Sequence, residues 1–230
     1  PFSSAPAAAA AALARRPPAR NAPAAAHMQR RALSFSYPAP RTLDEVVKID
    51  LLETETPARV REIWDEYHLT KEDVVGQAWT RDEYGAFTEA AREAPMFVFP
   101  VRRDEGEFVM LSQVQEKHCI LTFLDEYKLD PLGAAPWMSV TFYDDLAEDK
   151  ELVLVRGDVS VPKLTRPEGL HLIQLLKAFY LEQPDMVDCF NNRAAEFDVM
   201  AHLSSCPQLD QPKAVKASSS LEELETNTRR

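Results

Sequence analysis

Between residues 95 and 161, five short runs rich in Val, Phe, Ile and Tyr follow one another too closely for helices to fit between them. The runs cover 96–101, 107–114, 118–124, 137–143 and 152–159, and turn-forming or charged stretches separate them. Parallel strands need a crossover of about a dozen residues or more, so this spacing predicts a mainly antiparallel sheet of about five strands. The third run carries Cys119, Leu121 and Phe123 on one side and Ile120 and Leu124 on the other. A sheet apolar on both sides has to be covered on both, by helices or by a partner.

Helices are predicted on either side of this segment. Thr42-Leu43-Asp44-Glu45, Thr80-Arg81-Asp82-Glu83 and Thr165-Arg166-Pro167-Glu168 each have the capping-box spacing, in which Thr and Glu satisfy each other's free backbone N–H groups. Thr56-Pro57 adds a cap and a first-turn proline ahead of the stripe Val60, Ile63, Trp64 and Tyr67. Behind Thr165, the residues Leu172, Leu175, Leu176, Phe179 and Tyr180 form an apolar face that Pro184 ends. Helices first, strands second and a long helix last predict an α+β domain with its helices packed on one sheet face.

Charge divides the chain into three. Residues 1–41 hold six arginines, fifteen alanines and seven prolines, with no Asp, Glu or Lys. That composition fits an organelle-import presequence, mitochondrial rather than plastid because Arg supplies the charge and Ser is sparse; a disordered low-complexity arm is the alternative. Arg30-Arg31 marks a processing region on the first reading. Residues 42–206 carry 33 acidic and 16 basic residues and form the folded body. Residues 207–230, with four charges of each sign, read as a flexible tail.

The formal charge of -11 argues against a nucleic-acid binder, which needs a clustered basic surface. No apolar run approaches the ~20 residues of a bilayer span, so no membrane insertion is expected. Three cysteines are too few for a disulfide framework.

A search for chemistry returns little. Neither a phosphate-cradling glycine loop nor an H-E-x-x-H or paired C-x-x-C occurs, so no cofactor, metal or catalytic residue is expected. His118-Cys119 is suggestive, but adjacent strand side chains point to opposite faces. The paired carboxylates Asp44-Glu45, Glu72-Asp73, Asp82-Glu83, Asp125-Glu126 and Asp144-Asp145 suit helix starts and turns. What remains is aromatic: Trp64, Tyr67, Trp79, Tyr84 and Phe87 cluster within two predicted helices. Trp64, Tyr67, Trp79 and Tyr84 are the candidate partner-binding residues, since aromatic anchors dominate interfaces; core packing is the alternative for each.

Four runs stand out: Leu43-Asp44-Glu45-Val46-Val47-Lys48, Ile63-Trp64-Asp65-Glu66-Tyr67-His68, Pro95-Met96-Phe97-Val98-Phe99-Pro100-Val101 and Phe108-Val109-Met110-Leu111-Ser112-Gln113. They resemble the mitochondrial ATP synthase assembly factor family, which chaperones the free beta subunit. The likeness continues through Leu121-Thr122, Asp144-Asp145-Leu146 and the helix near 172–180, about residues 42–200 in all. It implies a non-enzymatic protein of the mitochondrion, in the matrix. Such a protein binds the unassembled beta subunit and shields its alpha-facing apolar surface until the alpha subunit displaces it. Two other readings stay open: a small mitochondrial hydrolase using Cys119 with a remote His, and a structural subunit of a mitochondrial complex.

Overall fold

The structure is a computed structural model and describes residues 40–209. Most of the expected leader, and the tail from residue 210, lie outside the described residues.

The five expected strands are all present: β2 (Met96–Arg103), β3 (Gly106–Gln115), β4 (His118–Phe123), β5 (Pro136–Tyr143) and β6 (Leu152–Val159). They run as an antiparallel meander, each pairing with the next. A sixth strand, β1 (Val74–Thr80), was not expected; it pairs antiparallel with β6 and gives the order β1-β6-β5-β4-β3-β2. Trp79, read as part of a helical cluster, belongs to this strand. The reason is local: Thr80 is the N-cap of the following helix, and an N-cap residue is already extended, here at φ -76 and ψ 159. The same Thr that starts the helix therefore ends a strand.

The helices follow their caps. Short helices α1 (Leu43–Val46) and α2 (Ile49–Glu53) lead to α3 (Pro57–Leu69), where the Thr56 hydroxyl accepts from the Arg59 N–H at 3.3 Å. Helix α4 (Arg81–Glu93) connects β1 to β2, the two edge strands, and so crosses the whole sheet. Helix α5 (Leu124–Leu129) and the single turn α6 (Ala147–Lys150) sit between strands. Helix α7 (Arg166–Glu182), then α8 (Pro184–Asn192) and α9 (Val199–Ser205), close the described chain.

Helices cover both faces of the sheet, not one. Strand β6 shows why: Val153, Val155 and Val159 join the main core with α4, α7 and α8, while Leu152 and Leu154 face a second core built by Leu43, Val46, Leu52, Val60 and Trp64. A strand apolar on both sides requires a lid on each. Gly76 sets how closely the second lid sits, since a Cβ there would meet the His68 ring at 2.6 Å and the Trp64 indole nitrogen at 3.0 Å.

The start of α7 carries a doubly used carboxylate. Glu168 accepts the Thr165 N–H at 2.7 Å and a fork from Arg103 at 2.6 and 2.8 Å. Burial pushes the Glu168 carboxyl up, but the Arg103 bond and the Thr165 cap together hold it below its ordinary value of 4.5. Its contribution is thus complete above pH 4.5 and lost as the pH falls through the lower folded value. Glu168→Gln removes the charge opposite Arg103, whose side chain is 32% exposed, so the cost falls below that of a fully buried pair, at about 2 kcal/mol. Urea unfolding at pH 7 checks the magnitude.

Candidate interaction surface

The four aromatic residues singled out in the sequence fall into two groups on opposite sheet faces. Trp64 is 1% exposed; its indole N–H donates to the Val155 carbonyl at 3.1 Å and its ring lies 4.3 Å from that of His68. Trp79 is fully enclosed and packs 5.4 Å from Phe87 and 5.3 Å from Phe142. Neither indole offers surface to a partner in the folded chain. Tyr84 is half-buried against Phe87 and Phe142, and burial with the Asp144 charge pushes its phenol up to about 12. Tyr67 is the exposed member, at 37%, with the Lys71 ammonium 3.5 Å over its ring.

Cys119 lies wholly in the core, and burial pushes its thiol up to about 12. A thiol so held supplies almost no thiolate at neutral pH and is a poor nucleophile. His118, on the other side of the strand, is half-buried, so the dipeptide forms no joint site. Among the described residues no group of three or more His, Cys, Asp or Glu could hold a metal ion. No helix among them is long and apolar enough to cross a membrane.

An apolar surface that the sequence reading did not identify lies at one end of the sheet. Phe108, Phe123 and Trp137 are half-buried with ring centroids 5.0–6.0 Å apart. The Trp137 indole N–H donates to Glu126 of α5 at 3.2 Å, Glu126 pairs with Lys163 at 3.9 Å, and the Lys163 ammonium sits 5.0 Å over the Trp137 ring. These contacts gather α5, the start of β5 and the loop after β6. Leu129 at the end of α5, Leu132 in the turn that follows it and Val161 in the loop after β6 project into solvent, 87%, 68% and 54% exposed. The signal available in sequence was Leu132 between Pro131 and Gly133, an apolar residue in a turn-forming stretch with no strand or helix to bury it.

Sheet, helical lids on both faces and an outward apolar end describe an α+β protein. The chain belongs to the ATP11 protein family, whose model matches residues 3–203. It is similar to the ATP synthase mitochondrial F1 complex assembly factor 1 of Danio rerio, at 22% identity over 172 residues, 73% of this chain and 57% of the relative. The Homo sapiens protein of the same name is 23% identical over 172 residues, 73% of this chain and 52% of its own. Protein atp11, mitochondrial, of Schizosaccharomyces pombe is 28% identical over 142 residues, 59% of this chain and 48% of its own. The chain thus spans about half the length of the curated relatives it matches.

Proposed function

We propose that this protein is a mitochondrial assembly chaperone for the catalytic sector of ATP synthase, acting in the matrix without catalysis or cofactor. Family membership, together with relatives named as F1 complex assembly factors, carries the reading. Its client is the unassembled beta subunit, whose alpha-facing apolar surface it shields until the alpha subunit displaces it. Residues 1–41 serve as the import presequence and 42–206 as the chaperone body. The physical basis is mass action: binding an aggregation-prone subunit lowers the free concentration of its exposed surface. The buried, suppressed Cys119 thiol gives the hydrolase reading no support.

The test is capture of purified beta subunit by the tagged full chain, with and without added alpha subunit. Capture that alpha reverses is the expected result; no capture of beta refutes the client assignment, and stoichiometric retention in the finished complex would indicate a structural subunit instead. Within the same assay, Leu129→Glu with Leu132→Glu is expected to weaken capture about tenfold or more, because both side chains lie at the apolar end. Thermal unfolding should be unchanged, since neither residue is buried.

A further inference from the structure

The two edges of the sheet are finished differently. In an antiparallel pair, alternate residues turn both backbone groups toward the neighbour, and the residues between turn theirs away. At β2, Pro95 accepts from Val114 of β3, so Met96, Val98 and Pro100 face outward. That edge is closed by the chain itself: Asn191 bonds both the N–H and the carbonyl of Met96 at 3.1 and 2.6 Å. His202 meets the Val98 carbonyl at 2.9 Å, and Pro100 has no N–H to offer.

At β1, Asp73 accepts from Val159 and Arg81 donates to Glu151, which places the odd-numbered residues against β6 and turns Gly76 and Ala78 outward. Arg61 caps the Ala78 carbonyl at 3.0 Å, and Glu83 takes the Thr80 N–H at 2.8 Å. The N–H and carbonyl of Gly76 and the N–H of Ala78 make no hydrogen bond to the described residues. Beside them runs a groove of about 610 Å³ between α3 and α7. Its walls carry three carboxylates, Asp65, Glu83 and Glu182, against Lys177, which is already paired with Glu83 at 2.8 Å. The charge of the Arg61 guanidinium, held at the Ala78 carbonyl, acts on Asp65, which leaves Glu182 without a paired cation among the described residues. Ala178 and Leu181 supply an apolar wall.

We propose that the β1 edge is a docking site for an extended, lysine- or arginine-bearing segment of the client, which adds to the sheet as a seventh strand. The proposal rests on the assembly-chaperone reading for the identity of the client. A strand about 4.8 Å beyond β1 would satisfy the Gly76 and Ala78 groups and set a basic side chain against Asp65 and Glu182. A second copy of this chain fits less well, since edge-to-edge pairing would bring two acidic grooves together. The leader of this chain has the right charge but seven prolines and fifteen alanines, residues that strands disfavour, and the tail has no net charge.

Hydrogen exchange at the Gly76 and Ala78 amides in the full chain tests this, alone, with purified beta subunit, and with a synthetic peptide of alternating Lys and Val. Binding of beta should slow both amides about tenfold or more. Ala78→Pro removes an outward N–H while leaving the β6 ladder intact, so the midpoint of thermal unfolding should stay within about 2 °C. Its affinity for beta should fall about tenfold. Asp65→Lys with Glu182→Lys, which leaves the backbone alone, should weaken binding similarly and keeps the test open if Ala78→Pro misfolds. Beta that binds without slowing these amides, and binds the variants normally, overturns the edge site while leaving the chaperone reading intact. No binding of beta, with protection by the peptide, overturns the client and upholds the edge. Protection already present in the free chain, or arising only with chain concentration, assigns the edge to this chain's own termini or to a second copy and overturns the proposal.

Discussion

Trp79→Ala is expected to destabilise the fold by about 3–5 kcal/mol, the range for removing a large aromatic from a close-packed core. The indole is fully enclosed and meets three elements at once: its own strand, Phe87 of α4 and Phe142 of β5. Its N–H donates to the Gln77 side chain at 3.2 Å, and the Lys177 ammonium of α7 lies 5.4 Å over the ring. Truncation leaves a cavity where β1 is held against α4 and α7, with no neighbouring backbone free to collapse into it. Trp64→Ala should cost a similar amount on the opposite face, where its N–H to the Val155 carbonyl ties α3 to β6. Tyr67→Ala, by contrast, removes a ring that is 37% exposed and should cost only about 1 kcal/mol. Urea unfolding of the three variants gives the ranking. If Trp79→Ala unfolds within about 1 kcal/mol of the parent yet loses beta subunit, the indole is an interface anchor and not a core residue.

The same residues show where the sequence was readable. Capping boxes at Thr42, Thr80 and Thr165 placed three helix starts correctly, because the signal is chemical and local. The meander was readable from spacing, and the 152–159 run coincides with β6. Strand β1 was missed because its pattern is neither alternating nor uniformly apolar. Gly76 and Gln77 interrupt Val74, Val75 and Trp79, and the strand exists because β6, almost eighty residues later, supplies its partner. For the same reason Trp79 was grouped with helical aromatics. Exposure was the less readable property: Trp64 and Tyr67 share one helix and differ by a single turn, but only the packing of α3 on β1 through Gly76 decides which faces inward. Sheet edges are less readable still. Asn191 and His202 bond Met96 and Val98 from 95 and 104 residues further along the chain, and nothing in the spacing announces that with Pro100 they close β2.

Acid should weaken the fold in two separable steps, the first of them led by His68. The imidazole is 1% exposed, and its Nδ1 lies 2.7 Å from the Trp64 carbonyl. A carbonyl only accepts, so Nδ1 carries the hydrogen and Nε2 is the bare nitrogen, buried without a partner among the described residues. Burial pushes the pKa down to about 4; the Trp64 bond and Asp158 oppose this, while the charges of Arg156 and Lys71 add to it. In the unfolded chain the ring titrates near 6.5, so between the two values the unfolded state binds more protons and stability rises with pH. The contribution is complete above pH 6.5 and is lost as the pH falls toward 4. That gap corresponds to about 3 kcal/mol. The Glu168 step begins only below 4.5, where His68 has spent most of its effect. Urea unfolding from pH 7 to 4.5 should therefore show a slope that His68→Gln reduces, whatever the variant's stability at pH 7; the remainder comes from His118 and His202, which burial also pushes below the ordinary value. An unchanged slope in His68→Gln would assign the acid sensitivity to other groups. Because the His68 ring lies against Gly76, charging it should first loosen the seat of α3 on β1 and so disturb the edge groove before the rest of the sheet. Loss of beta subunit affinity at pH values where the chain is still folded is the expected consequence, and His68→Gln should remove that loss as well.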